Sequence, residues 1–144
     1  MPCAVVQFIK GTWKTGERDF LEKKFSKECA FVVSGEGFTW ETQDRARDIA
    51  AAKAGWEEAK KFILNPEIGF ILLDEINIAL RYDYLDIDEV VEFLLTKKPP
   101  MTHVVLTGRN AKEELITAAD LVTEMSLIKH PFRDGIKAQK GIEF

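Results

Sequence analysis

The feature that most constrains the fold of this chain is a series of short, almost wholly apolar runs separated by segments with helical character. The runs lie at residues 4–9, 30–34, 70–76 and 103–106, and a fifth, interrupted by polar residues, lies at 121–128. Strands buried on both faces read as continuous apolar runs, and they are typical of parallel sheets covered by helices. The pattern predicts an α/β fold, a parallel sheet with helices on both faces.

Two helices are predicted between these strands. The longer one, over about 43–64, has an apolar face formed by residues at spacings of three and four, namely Ile49, Ala52, Trp56, Ala59 and Ile63. Asn65-Pro66 ends it, because the residue before a proline avoids the helical conformation. Asp86 and Glu89 form a capping-box pattern that predicts a second helix, ending near residue 96.

A shorter helix is predicted after the strand at 103–106. Asn110 and Glu113 repeat the capping pattern, and the helix is expected to end near residue 119. Residues 11–19 contain two glycines and several polar groups, so they are expected to form a loop.

Composition excludes several classes of protein. The chain has 144 residues, a net charge of −4 and 46% hydrophobic residues, which fits one domain over residues 1–144 and gives no basic footprint for nucleic acid. No apolar run approaches the roughly 20 residues that span a bilayer, and no signal peptide is expected, so a cytoplasmic location is predicted. Cys3 and Cys29 are expected to be reduced, buried thiols. Neither His103 nor His130 has a second ligand at helical or hairpin spacing, so no histidine-based metal site is expected.

Residues with chemical potential follow four of the predicted strands. They are Lys10-Gly11, the segment 35–40, Asp74-Glu75 and the segment 107–109. In parallel α/β sheets, functional groups collect beyond the carboxyl ends of the strands. These four segments are therefore expected to meet at one edge of the sheet.

Each segment has a functional and a structural interpretation. Asp74-Glu75 after four apolar residues has the form of a Walker B strand, whose carboxylates bind Mg²⁺ directly or through water, or the two acids are simply solvated. Arg109, after a glycine, and Lys10 can bind phosphate oxygens or be surface charges. Phe38 and Trp40 can form a wall for a flat ligand or cover the protein's own core.

One expected element of a triphosphate site does not occur in the sequence. There is no G-x-x-x-x-G-K-[ST] string; Gly11 and Gly16 have the required separation, but Glu17-Arg18 occupies the positions of Lys and Ser/Thr. An acidic residue at that position repels phosphate. The pattern is therefore not interpreted as a phosphate-binding loop.

Taken together, these strings resemble one family from residue 4 to residue 144. VVQFIKGTWKTGER, GFTWETQDR, ILLDEINIALRYDYL, VVLTGR and KHPFRDGIKAQKGIEF occur in the order found in BtuR/CobO-type ATP:cob(I)alamin (corrinoid) adenosyltransferases. The resemblance implies a RecA-like P-loop NTPase fold, a homodimer, and Mg²⁺-assisted transfer of the 5′-deoxyadenosyl group of ATP to the Co(I) of a corrinoid such as cob(I)alamin. The product would serve cobalamin biosynthesis or salvage in the cytoplasm.

The resemblance also implies roles for individual residues. Phe38 and Trp40 match aromatics that pack against the lower face of the corrin and keep the lower axial ligand off the cobalt. Glu75 matches the acid associated with Mg²⁺, with Asp74 in support. Lys10 and Arg109 match basic positions near the nucleotide, and Tyr82 and Tyr84 match positions that can serve packing alone.

The sequence departs from the family at its start. The family's first strand, phosphate-binding loop and following helix have no counterpart here, so a fragment, a complementing partner or second copy, or a rearranged sheet is expected. Three functions remain open: an adenosyltransferase, a non-catalytic corrinoid-binding protein, and an interaction module. No general base is needed in the first case, because Co(I) is itself the nucleophile.

Overall fold

The central element of the fold is a parallel β-sheet. The computed structural model describes residues 1–9, 16–34 and 44–139. Within these ranges the sheet has four strands in the order β2-β1-β3-β4: β1 (Cys3–Phe8), β2 (Cys29–Ser34), β3 (Phe70–Asp74) and β4 (His103–Leu106). All three pairings are parallel. The predicted α/β fold with a parallel sheet is confirmed.

Five α-helices and one short 3₁₀ helix accompany the sheet in the described part of the chain. They are α1 (Gly16–Lys24), α2 (Arg45–Leu64), α3 (Ile76–Arg81), α4 (Ile87–Thr96), α5 (Glu113–Ala118) and the 3₁₀ helix Pro131–Asp134. None of the helices described combines the length and the apolar composition needed to cross a bilayer.

Helix α2 forms as its sequence pattern predicts. The Asp44 side chain caps its N-terminus by accepting hydrogen bonds from the backbone N–H groups of Ala46 and Arg47. The predicted apolar face is buried: Ala52, Trp56, Ala59 and Ile63 are each at most 4% exposed, and Ile49 packs at the margin of the core. The core lies between this helix and one face of the sheet, to which β1 contributes Ala4, Val6 and Phe8.

A glycine lets α2 approach the sheet closely. A Cβ atom placed on Gly55 would overlap the side chain of Ser34 and lie 3.2 Å from Cε1 of Phe8. The hydroxyl of Ser34 donates a hydrogen bond to the carbonyl of Ala51, one turn earlier in the same helix. The helix and β2 are therefore in contact through backbone and small groups at this point.

Helix α4 is capped as predicted, but its capping box is only half formed. Asp86 accepts hydrogen bonds from the backbone N–H groups of Asp88 and Glu89 at 2.9 and 3.1 Å. The Glu89 carboxylate does not turn back to the cap. Instead it accepts a hydrogen bond from the indole N–H of Trp56 at 3.2 Å, which ties α4 to α2.

Several local predictions were wrong. Residues 16–19 begin helix α1 instead of a loop, helped by two i,i+4 ion pairs on its exposed face, Arg18–Glu22 and Asp19–Lys23. The residue at the N-cap of α5 is Lys112, whose side chain forms no cap hydrogen bond, whereas Asn110 adopts a left-handed conformation two residues earlier. Residues 121–128 form no strand, and their side chains are exposed.

Candidate functional site

The candidate site lies where β1, β3 and β4 end. Gln7 is paired with Asp74 across β1 and β3, and Leu73 is paired with Leu106 across β3 and β4. The chain turns sharply after all three strands, because Ile9, Glu75 and Asn110 have positive φ angles of 70°, 63° and 57°. Such angles are unfavourable for side-chain-bearing residues and concentrate at functional sites. Among the described residues, three of the four non-glycine positions with positive φ thus follow these strands; the fourth, Asp83, lies beyond the helix after β3.

Asp74 is held by two hydrogen bonds from neighbouring strand ends. The amide Nε2 of Gln7 donates to Oδ2 at 3.1 Å, and the hydroxyl of Thr107 donates to Oδ1 at 2.9 Å. Each carboxylate oxygen thus accepts a bond from a different strand end. The carboxylate is therefore fixed in orientation by both neighbouring strands.

The sequence predicted a strand over residues 70–76, but the strand ends at Asp74. Glu75 follows it in a left-handed conformation. Its φ and ψ angles are 63° and 17°, and it stands at the N-cap of α3. Its backbone N–H donates to the hydroxyl oxygen of Thr107 at 3.1 Å. One hydroxyl therefore connects the backbone of Glu75 to the carboxylate of Asp74 and fixes both acids relative to β4.

Gly108 allows the loop after β4 to lie against Glu75. Its φ angle is 126°, and a Cβ atom placed on it would lie 3.2 Å from Oε2 of Glu75 and 3.0 Å from Cβ of Asn77. Only glycine combines this conformation with so close an approach. Arg109, the next residue, is exposed and forms no hydrogen bond or ion pair with the described residues.

Asn77 and Gln7 belong to the site, although the sequence analysis did not single them out. The backbone N–H of Asn77 donates to the carbonyl of Thr107 at 3.2 Å, and its Nδ2 donates to the carbonyl of Gly108 at 3.3 Å. Its Oδ1 is buried and has no hydrogen-bond partner among the described residues. The one sequence feature that could have indicated these two residues is that each is an amide side chain among apolar neighbours.

The donor set suits a hard divalent cation. Asp74, Glu75, Thr107 and Asn77 offer only oxygen ligands here, and oxygen is what Mg²⁺ prefers. In the described residues no group of three or more His, Cys, Asp or Glu side chains could hold a metal ion. A cation at this edge would complete its shell with water and substrate oxygens, which is the usual arrangement for Mg²⁺ in nucleotide sites.

The structure places three of the six residues predicted for the site. Asp74 and Glu75 are adjacent and half-buried, and Arg109 lies two residues beyond Thr107. Lys10, Phe38 and Trp40 lie outside the described residues. The predicted juxtaposition of the aromatic segment with the acids stays a prediction.

The two tyrosines after α3 form a separate cluster near the start of α2. Their rings stack at 5.7 Å, and the hydroxyl of Tyr84 donates to Asp48 at 3.3 Å. Burial, and then the charge of Asp48, raise the pKa of Tyr84 above its usual value. The guanidinium of Arg45 lies 5.4 Å from the Tyr84 ring and donates to the carbonyl of Tyr82 at 2.9 Å. Tyr84 is buried at 6% exposure, whereas Tyr82 is 40% exposed.

Comparison with known proteins adds an independent observation. Residues 1–144 match the family model described as ATP:corrinoid adenosyltransferase BtuR/CobO/CobP. A corrinoid adenosyltransferase of Sinorhizobium sp. is 69% identical over 144 residues, which are 100% of this chain and 67% of that protein. The corrinoid adenosyltransferase of Pseudomonas aeruginosa is 54% identical over 144 residues, 100% of this chain and 70% of that protein. The corrinoid adenosyltransferase of Escherichia coli K12 is 42% identical over 140 residues, 97% of this chain and 69% of that protein.

Proposed function

Because the chain belongs to the ATP:corrinoid adenosyltransferase family BtuR/CobO/CobP, we propose that it transfers the 5′-deoxyadenosyl group of ATP to the cobalt of a reduced corrinoid. At the site, one observation supports this proposal most strongly: the hydroxyl of Thr107, at the end of β4, is hydrogen-bonded to both Asp74 and Glu75. That pair supplies the cation-binding part that a nucleotide-dependent transferase needs.

The proposed reaction is a direct displacement. The electron pair of Co(I) forms a bond to C5′ of the ribose, and the bond from C5′ to the triphosphate oxygen breaks. The triphosphate leaves with the two electrons of that broken bond. The corrinoid enters already reduced to Co(I) and leaves as the alkylated Co(III) form. No proton is transferred, so this chemistry needs no general base.

The contribution of the protein is alignment and charge. We propose that Glu75 binds Mg²⁺ and that Asp74, fixed by Gln7 and Thr107, supports it. When bound, Mg²⁺ would neutralise charge on the departing triphosphate. We assign Arg109 and Lys10 to the phosphates; Arg109 is exposed and has no ion-pair partner among the described residues, so its guanidinium is available.

The corrinoid side of the site is assigned to aromatic residues. We propose that Phe38 and Trp40 cover the lower face of the corrin and exclude the lower axial ligand. The flat macrocycle offers a large apolar surface, and aromatic side chains bury such surfaces well. We further propose that the protein acts in the cytoplasm as a homodimer, as the family resemblance leads us to expect.

An absorption assay tests the proposal. Under anaerobic conditions, the chain with Mg·ATP should convert chemically reduced cob(I)alamin to a light-sensitive alkylcobalamin, with loss of the Co(I) absorption band. Glu75→Gln keeps the size of the side chain but removes its charge, and it should slow the conversion by about 10²-fold or more. Glu92→Gln is the matched control: it makes the same replacement at an exposed position of α4, and this variant should convert cob(I)alamin at the parent rate.

Two results would contradict the proposal. One is a parent chain that leaves the Co(I) band unchanged with Mg·ATP over hours. The other is equal conversion by Glu75→Gln and Glu92→Gln, which would remove the acid from the mechanism.

A further inference from the structure

One atom at the candidate site lacks the hydrogen bond that its burial calls for. Asn77 is 6% exposed, and its Oδ1 has no partner in the described part of the chain. Buried polar atoms in native proteins are nearly always paired, because an unpaired acceptor loses its bonds to water and gains nothing in return. A buried unpaired oxygen beside a substrate site therefore indicates an acceptor that a ligand completes.

The orientation of the Asn77 amide is set by its other end. Nδ2 donates to the carbonyl of Gly108 at 3.3 Å. If the amide were turned over, two acceptor oxygens would face each other, so the assigned orientation is the one that the hydrogen bonds favour. Oδ1 belongs to the same amide, and it therefore lies beside the same loop.

The position of Asn77 relative to Glu75 follows from Gly108. A single point, the Cβ position on Gly108, lies 3.0 Å from Cβ of Asn77 and 3.2 Å from Oε2 of Glu75. The two side chains thus flank the same small residue. The backbone N–H of Asn77 also holds the carbonyl of Thr107, whose hydroxyl connects the two acids.

We propose that Asn77 is a positioning residue for the metal–nucleotide complex, whose Oδ1 accepts a hydrogen bond from a water molecule of the cation's coordination shell while its Nδ2 holds the Gly108 loop. The inference rests on the proposed function, in which Glu75 binds the cation. An amide oxygen cannot bind phosphate oxygens, because both are acceptors. Mg²⁺ keeps several of its waters in nucleotide sites, and each of these is a strong donor.

Calorimetric titration with Mg·ATP tests the assignment on two variants of the whole chain. Asn77→Leu keeps the approximate size but has no acceptor for the water and no donor for the Gly108 carbonyl, and it should weaken Mg·ATP binding about tenfold. Trp56→Phe, which loses the bond to Glu89 on α4, is the control and should bind as the parent does.

Thermal unfolding without ligand separates a positioning role from a structural one. Asn77→Leu loses the bond from Nδ2 to the Gly108 carbonyl together with the unpaired Oδ1, and Trp56→Phe loses the bond to Glu89, so both should lower the unliganded Tm. Only Asn77→Leu should also weaken Mg·ATP binding; affinity equal to that of the parent, or an equal loss of affinity in Trp56→Phe, would overturn the assignment of Asn77 alone. A parent chain that does not bind Mg·ATP would overturn the proposed cation site together with it.

Discussion

At the scale of single residues, Thr107 organises the candidate site. Its hydroxyl accepts from the backbone of Glu75 and donates to the carboxylate of Asp74, and its backbone N–H donates to the carbonyl of Leu73 at 3.1 Å. A hydroxyl can serve as donor and acceptor at once, which neither a carboxylate nor an ammonium can do. The two acids are therefore fixed relative to β4 by one neutral group.

Replacement of Gly108 by alanine is expected to destabilise the protein and damage the site together. The φ angle of 126° and the short distances to Glu75 and Asn77 both oppose a Cβ atom. We expect a loss of about 1–3 kcal/mol in the free energy of unfolding, measured by urea denaturation. The binding of Mg·ATP should weaken as well, because Glu75 must move.

Gly16→Ala is the control for that substitution. Among the described residues, a Cβ atom on Gly16 meets nothing within 4 Å, and the residue begins an exposed helix, so its replacement should be neutral or slightly stabilising. Equal stability of the two variants would show that the geometry described for Gly108 is wrong.

The sequence could predict the site residues that follow a strand, but not those that fold back onto them. Asp74, Glu75 and Gly108 were found because apolar strands end at them and parallel strands share an edge. Gln7 and Asn77 lie inside apolar runs, where the role of an amide cannot be inferred until its hydrogen-bond partner is known. Burial and partner identity depend on tertiary structure, which a single sequence does not contain.

At the scale of elements, strong periodicity predicted α2 and α4, and weak or short signals failed. Helix α3 has 6 residues and follows directly from β3, so its apolar side chains read as a continuation of the strand. Helix α1 was missed because its glycine and charged residues are typical of loops. Helix α4 was correct in both bounds, since its cap and its apolar face agree.

The contact of α2 with β2 leads to a prediction about Gly55. In an exposed helix, alanine is favoured over glycine by about 1 kcal/mol. Here an alanine Cβ would overlap Ser34, so Gly55→Ala should instead destabilise the protein by about 1–3 kcal/mol. Thermal or urea unfolding measures the change.

A double variant checks the cause of that loss. In a Ser34→Gly background the overlapping side chain is absent, so the cost of Gly55→Ala should fall, and the two substitutions should not be additive. Strict additivity would contradict the proposed contact.

At the scale of the whole molecule, the described structure has a well-packed body and an exposed terminal segment. Residues 120–139 contain one 3₁₀ helix and only exposed side chains, including Leu121 at 85%, Met125 at 93% and Ile128 at 84%. The apolar run at 121–128, interrupted by polar residues, predicted a strand, but a strand requires a neighbour. In the described sheet, β4 pairs with β3 alone and no residue of this segment pairs with it.

Limited proteolysis tests this division of the chain. Exposed segments without regular structure are cut first, because a protease must bind its substrate in an extended form. Trypsin should cleave after Lys129 and Arg133 well before it cleaves after Lys53 or Lys60 of α2, as followed by mass spectrometry. Earlier cleavage within α2 would contradict the described packing.

The central claim is that the two acids at the end of β3 bind the cation of the nucleotide, and water-proton relaxation with Mn·ATP in place of Mg·ATP tests it most directly. Protein-bound Mn²⁺ tumbles slowly, so the parent chain and Glu92→Gln should both enhance the relaxation rate of water protons over that of free Mn·ATP, whereas Glu75→Gln should leave the rate close to that of free Mn·ATP. If Glu75→Gln instead binds Mn·ATP as tightly as the parent, the cation lies elsewhere and the account of the site is wrong.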